Sequence, residues 1–187
     1  MTLTVSTDLG TARQNAARAE AMLHRLRAAH DLSQYEFTKA VRIAPGEIPH
    51  SHPVLTLSTA WIGDADRFLA MYLHEQMHWY LTDHRSAALE ETMAPLRHRY
   101  PDVPSPASQR ARDEASIYLH LVVNLLEIVA VESLIGADRA RPIFETPPVY
   151  PWIYATVLAA REDITALLID TEILPIPDAR QSFGKLR

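Results

Sequence analysis

The chain has 187 residues, a formal net charge of −5 and no cysteine. The acidic balance argues against general affinity for nucleic acid or anionic membranes, and the lack of cysteine excludes disulfides, thiolate catalysis and cysteine-ligated zinc. The length suits one domain with a sizeable core, which we expect to span residues 1–187 with an extended tail from about residue 173.

The N-terminal segment and the lengths of the apolar runs bear on the cellular compartment in which we expect the protein. The first residues lack the basic and apolar regions of a signal peptide. No apolar run is as long as the ~18 residues of a membrane span. We therefore expect a cytoplasmic protein that does not act at a membrane, while its oligomeric state is left open by the sequence.

The predicted elements begin with a helix over residues 11–30, where apolar side chains recur at helical spacing. Residues 35–43 alternate apolar and polar and predict a half-buried strand, and residues 54–59 predict a second strand. The loop between the strands contains His50 and His52, which we interpret as surface residues.

Further helices are predicted over about 65–81, 84–98, 109–136 and 151–171, with N-caps at Asp64, at Thr82 or Asp83, and at Ser108. Residues 99–108 and 138–151 should be proline-marked loops. The predicted fold class is α+β and mostly helical. A small mixed or antiparallel sheet would pack on the helix of about 65–81 and on a second central helix.

The helix of about 65–81 contains His74-Glu75-Gln76-Met77-His78, an H-E-x-x-H motif. Helical spacing places His74 and His78 one turn apart on one face, so two imidazoles can bind one metal ion. Glu75 lies at the flank of that face, where it can reach a metal-bound water without being a ligand.

The motif resembles the zincin superfamily of metallopeptidases, and the gluzincin type more than the metzincin type. The resemblance covers the five motif residues and the order of elements. It implies a zinc-dependent hydrolase with Glu75 as general base. It also implies that the strand before the motif helix forms a sheet edge, where an extended substrate pairs through backbone hydrogen bonds.

The helix of about 109–136 is apolar nearly all round, which predicts a central position. His120, Asn124 and Glu127 stand on one face at i, i+4 and i+7. A carboxylate in such a helix is costly unless it is paired, protonated or metal-bound. The alternative to a metal site is a structural network of these three polar residues in the core.

A catalytic zinc needs a third protein ligand, and three residues compete for that role. Glu127 is the choice that the gluzincin resemblance implies, and we predict the ligand set His74, His78 and Glu127. His120 is the second candidate, with Glu127 then orienting a ligand histidine. His84 would match the metzincin pattern, but Leu81 stands where that pattern has glycine.

The expected function is hydrolysis of a peptide or amide bond in a narrow substrate. Zinc would activate water, Glu75 would move its proton, and His120, or a tyrosine such as Tyr154 or Tyr118, would stabilise the oxyanion. A redox enzyme that uses Fe²⁺ or Mn²⁺ in the same site is the first alternative. A non-catalytic helical binding module is the second.

Overall fold

A computed structural model describes residues 9–177 of the chain. It has α1 (Leu9–Ala29), β1 (Val41–Ile43), β2 (Leu55–Leu57), α2 (Ala65–His84), α3 (Ser86–Arg99), α4 (Pro106–Gln109), α5 (Glu114–Ile135), α6 (Ala137–Glu145), α7 (Pro151–Ala159) and α8 (Arg161–Asp170). The prediction of a mostly helical α+β fold with a small sheet is confirmed.

Helices α2 and α5 pack against each other at the centre of the molecule. Helix α5 also contacts α3, α4, α6, α7 and α8, so all its faces are covered. Its apolar side chains are accordingly buried around the whole circumference, including Leu121, Val123, Leu125 and Ile128. Each such side chain contributes about 1.5–3 kcal/mol on burial, which makes the contact between the two central helices a stable base for a site.

Aspartates cap both central helices. Asp64 accepts a hydrogen bond from the Arg67 N–H at 3.0 Å, as the sequence predicts for the start of α2. Helix α5 begins later than predicted, because Asp113 and not Ser108 is its cap, accepting from the Ser116 N–H at 2.7 Å. Ser108 instead lies in the short helix α4.

Strands β1 and β2 pair in parallel, where a mixed or antiparallel sheet was predicted, with Val41 opposite Leu55 and Ile43 opposite Leu57. The Thr56 N–H donates to the His50 carbonyl at 2.8 Å, and the His50 N–H donates to the Thr56 carbonyl at 3.1 Å in an antiparallel bridge. The outer side of β2 at Thr56 is therefore occupied by the chain itself. An extended substrate could pair there only by displacing residue 50.

The predicted strand over 35–43 is wrong for residues 35–40. The Thr38 N–H donates to Gln76 Oε1 at 3.0 Å, and Gln76 Nε2 donates to the Thr38 carbonyl at 2.8 Å. The side-chain amide of Gln76 on α2 thus makes the backbone hydrogen bonds that a neighbouring strand would otherwise make. Glu36 is buried as well, and it accepts hydrogen bonds from Arg27 at 2.6 Å and from Tyr72 at 2.7 Å.

Several helix boundaries differ from their predictions. Residues 138–151 contain α6 despite its internal Pro142, and the last predicted helix is two helices that meet at Ala160. Helix α2 continues to His84, so α3 begins at Ser86 without a Thr82 or Asp83 cap. The structure therefore has eight α-helices within residues 9–177, where about five were predicted.

The start of the predicted tail packs on the core. Ile173 is fully buried, Leu174 is buried, and the Tyr80 hydroxyl donates to the Ile173 carbonyl at 2.6 Å. Residues 178–187 lie outside the described part of the chain.

One stretch of the described chain, Pro106–Ile135, is long and apolar enough by composition to cross a membrane, with a mean hydropathy of 1.7. Within this stretch, 72% of the 18-residue segment that meets this criterion is buried in the fold. A central core helix passes the same test.

Candidate metal centre

The two histidines of the motif lie one turn apart on α2, with ring centroids separated by 5.1 Å in an edge-to-face arrangement. Gln76 and Met77, between them in sequence, are fully buried. Gln76 makes its hydrogen bonds to Thr38 on the side of α2 opposite the two histidines. His74 and His78 face α5, against which α2 packs.

A third histidine reaches the pair from α5. The ring centroid of His120 lies 5.5 Å from that of His74 and 5.1 Å from that of His78. One nitrogen of each ring lies within 4.8 Å of the other two. Histidine nitrogens bind zinc at about 2.0–2.1 Å, and three protein ligands with an open position are typical of catalytic zinc. The three side chains therefore suit one metal ion.

Hydrogen bonds to two of the rings determine which nitrogen can bind metal. The Nδ1–H of His120 donates to the Ser116 carbonyl at 2.6 Å. The Nδ1–H of His74 donates to Glu127 Oε2 at 2.9 Å. Both bonds place a proton on Nδ1 and leave Nε2 for a metal, as in metal sites whose histidines are oriented by a carbonyl or carboxylate.

Glu127 is 2% exposed and lies between His74 and Tyr154. The Tyr154 hydroxyl donates to the same Oε2 atom at 2.6 Å. Burial, followed by the charge of Glu127, raises the pKa of Tyr154 well above its ordinary value, so this hydroxyl keeps its proton and stays a donor. The two donors stabilise a carboxylate that would otherwise be costly to bury.

The ionisation of the three histidines follows from their surroundings. Burial lowers the pKa of His78 well below its ordinary value and lowers that of His120 to about 3, and the charge of His74 lowers both further. Burial also lowers the pKa of His74, but the charge and hydrogen bond of Glu127 outweigh it, so that pKa is raised. Two of the rings are thus neutral at pH 7, the form that binds metal.

Glu75 is 5% exposed and lines a cavity of about 410 Å³ next to His74. Burial raises its pKa to about 7; the charge of His74 lowers the pKa, while that of Glu127 raises it. Within residues 9–177, the Glu75 carboxylate has no ion pair. A carboxyl group that titrates near neutral pH beside a metal site can accept and release a proton at the working pH.

Tyr150 forms part of the cavity wall, and its ring lies 4.2 Å from the ring of His120. Burial, followed by the charges of Glu75 and Glu127, raises its pKa to about 12, so the hydroxyl is a donor. Its backbone has a φ of 57° just before α7. That conformation costs a non-glycine residue about 1–3 kcal/mol and is found most often at functional sites.

The structure separates the three candidates for the third ligand. His120 joins the cluster with His74 and His78. Glu127 contacts the cluster through His74 Nδ1, the nitrogen turned away from metal binding. His84 lies nearly three turns after His74 on α2, with its ring 5.6 Å from that of Phe37, because the helix continues through Leu81.

The other polar residues of this region have separate roles. His50 pairs with Thr56 through its backbone, and the ring of His52 stacks on Trp79 at 4.2 Å. Asn124 is fully buried, and its amide has no hydrogen-bond partner in the described chain. His120, Asn124 and Glu127 therefore do not form a network with one another.

Two residues of the site were missed by sequence reasoning. Ser116 stands four residues before His120 on the same helix, a spacing that could have indicated its contact with the ring. Tyr150 precedes the helix-starting Pro151, and its sequence context is that of ordinary core packing. The placement of Tyr150 against His120 depends on how α7 packs on α5, which local patterns do not report.

No family model, no curated protein and no solved structure matches this chain. A function for the site is therefore inferred from its geometry.

Proposed function

We propose that the chain is a zinc-dependent hydrolase that cleaves a peptide or amide bond in a narrow substrate. The observation that carries the proposal is that one nitrogen of each of three histidines lies within 4.8 Å of the other two, while Glu75 lines a cavity next to His74, one of the three. His74, His78 and His120 would hold the ion. Glu127 would orient His74 through its hydrogen bond.

The donor set favours zinc. Three neutral imidazoles and an open position are a known catalytic zinc site. The alternative of a redox enzyme with iron or manganese relies on two histidines and a carboxylate. Glu127 Oε2, the carboxylate atom next to the cluster, already accepts hydrogen bonds from His74 and Tyr154, which weakens that alternative.

A bound zinc ion would supply a Lewis acid that lowers the pKa of water and polarises a substrate carbonyl. Glu75 takes a proton from the attacking water and gives it to the leaving nitrogen. Its position on the cavity wall and its raised pKa suit both transfers. Glu75 also follows His74 directly in α2, so it is offset from the face that holds the ligands.

Tyr150 is the best-placed donor for the oxyanion. Its hydroxyl makes no hydrogen bond in the described part of the chain, and the residue lines the cavity with Glu75. The hydroxyl of Tyr154 is engaged by Glu127, and that of Tyr118 donates to the Tyr100 carbonyl at 2.8 Å. His120 acts in this proposal as a ligand and not as the oxyanion donor.

The substrate is small in this proposal. A cavity of about 410 Å³ lies in the range of sites for small ligands. The chain's own residue 50 occupies the outer side of β2 at Thr56, which disfavours an extended polypeptide there. The resemblance of the motif to zincins therefore supports the chemistry of the site and not the binding of long peptides.

The test begins with metal content in protein purified without added metal. We expect about one zinc per chain, hydrolysis of some members of a small amide and dipeptide panel, loss of turnover with a chelator, and recovery with zinc. Glu75→Gln should keep zinc and lose about 10²–10⁴-fold in rate. No bound metal and an unchanged melting temperature with chelator would support a non-catalytic helical module instead.

A further inference from the structure

The cavity next to His74 is also lined by an arginine that the proposed mechanism does not use. Arg110, at the end of α4, lines the same cavity as Glu75 and Tyr150. Its side chain is exposed. The guanidinium of Arg110 is therefore accessible to a substrate in the cavity.

The turn that carries Arg110 is held in place by hydrogen bonds. The Arg110 N–H donates to the Ala107 carbonyl at 3.2 Å. The preceding residue, Gln109, is 4% exposed, and its Oε1 accepts from the Trp152 N–H at 2.9 Å. Trp152 follows Tyr150 by two residues, so one hydrogen bond joins the segment of Arg110 to the segment of Tyr150.

Arg110 and Tyr150 also share an unusual backbone conformation, a positive φ. Three non-glycine residues of the described chain have a positive φ, namely Arg110 at 55°, Tyr150 at 57° and Glu172 at 59°. Two of these line the cavity. Strained conformations concentrate where a side chain must be held in one direction for binding or catalysis.

Apart from Glu75, the other charged residues of the cavity wall have partners. Glu47 pairs with Arg42 at 2.5 Å, Arg67 lies 3.5 Å from Asp64, and Glu127 lies 2.9 Å from His74. Arg67 also stacks on Trp61 at 5.1 Å. Arg110 has no ion pair within residues 9–177. Its five N–H donors are free for a ligand, and a guanidinium matches the planar fork of a carboxylate.

The remaining wall of the cavity is apolar. Ile48, Trp61, Met71 and Val149 contribute to it, and Ile48 is 84% exposed at its rim. An exposed isoleucine beside a cavity gains from covering by an apolar ligand group. The wall therefore suits a ligand with an apolar part and one negative charge.

We propose that Arg110 binds a carboxylate of the substrate, so that the site takes small amides with a carboxylate beside an apolar group. This inference names the substrate class of the hydrolase proposed above and rests on that function. Arg110 acts as a specificity-determining residue, since it contacts the substrate away from the bond that is cleaved.

The test uses the full chain after metal removal, so that it needs neither zinc nor turnover. N-acetylleucine and N-acetylleucinamide are titrated in parallel by ligand-observed nuclear magnetic resonance. The two probes share an apolar side chain and differ in the carboxylate. We expect the carboxylate probe to bind about tenfold more tightly at low salt, with a smaller preference in 0.5 M salt.

Arg110→Met should abolish the preference, and Arg110→Lys should retain part of it because the charge stays while the fork is lost. Arg112→Met is the matched control, since Arg112 is exposed, is paired with Asp113 and does not line the cavity. A wild-type chain without preference, or a preference kept in Arg110→Met, overturns the inference. Absence of zinc binding overturns the proposed hydrolase instead, so the two failures are distinguishable.

Discussion

His74 Nδ1 lies 2.9 Å from Glu127 Oε2, so a carboxylate of α5 holds the first histidine of the motif on α2. The bond crosses the contact between the two central helices, where both partners are shielded from water. Its strength therefore depends on the same packing that brings His120 to the site. In the proposed zinc site, metal affinity and the packing of the two helices would therefore be coupled through this bond.

We predict that replacing any one of His74, His78 and His120 by alanine abolishes stoichiometric zinc binding. Each supplies one of the three nitrogens within 4.8 Å, and two ligands hold zinc far more weakly than three. Zinc titration with a competing chelator measures the effect. His84→Ala is the control and should bind zinc as the wild type does; retention of zinc by His120→Ala would refute its role as third ligand.

The Glu127→Gln variant distinguishes two roles of this carboxylate, orienting His74 or binding the metal ion directly. The glutamine oxygen can still accept from His74 and Tyr154, but without the negative charge. We expect zinc affinity to fall about 10–100-fold with stoichiometry unchanged at high zinc. Complete loss of the bound ion, matching the histidine variants, would show that Glu127 is a ligand after all.

Tyr150→Phe removes the proposed oxyanion donor and keeps the ring that packs on His120 at 4.2 Å. We expect kcat to fall about 10²–10³-fold while zinc stoichiometry and melting temperature stay near those of the wild type. Tyr118→Phe is the comparison, because that hydroxyl is bonded to the Tyr100 carbonyl. Equal activity of Tyr150→Phe and the wild type would assign the oxyanion to another group.

Glu75 should make the metal-free protein less stable as pH rises, whereas the lowered pKa values of His78 and His120 act in the opposite direction. The pKa of Glu75 is raised from 4.5 to about 7 in the fold, so its contribution to stability is fully present below pH 4.5 and is lost as pH rises through about 7. Each pKa unit corresponds to about 1.36 kcal/mol, so the contribution of Glu75 to the free energy of unfolding falls by about 3 kcal/mol over this pH range.

Glu75→Gln should not show this loss. Urea unfolding of the metal-free wild type and variant at pH 4 and pH 8 gives the measurement, since groups common to both largely cancel in the difference. An equal change in the free energy of unfolding for the two proteins would mean that Glu75 does not titrate as described.

Gln76→Ala should destabilise the fold by about 2–4 kcal/mol, since it leaves the N–H and carbonyl of Thr38 without their buried partners. The melting temperature and the free energy of unfolding report the loss. Zinc binding by the molecules that remain folded should persist, because Gln76 lies on the opposite side of α2 from the cluster. A variant as stable as the wild type would show that water replaces the amide.

The local part of the site could be predicted from the sequence. The placement of His74 and His78 on one helical face, the offset of Glu75 and the start of α2 at Asp64 all follow from helical periodicity and capping. The apolar character of α5 likewise predicted a central helix. These features depend on residues within a few turns of one another, whose geometry is set by the backbone.

The residue that joins His74 and His78 in the cluster could not be predicted from the sequence, because it depends on packing between helices. His120 and Glu127 are both on the face of α5 that meets α2, and their distances to His74 depend on how far one helix is shifted along the other. That shift results from packing over the whole core. In the same way, residues 35–40 do not form a strand, and the backbone N–H and carbonyl of Thr38 bond to Gln76, a side chain distant in the sequence. Arg110 and Tyr150 meet at one cavity because α4 and α7 pack together. Contacts between residues far apart in the chain carry no periodic signal, so they became visible only in the folded molecule.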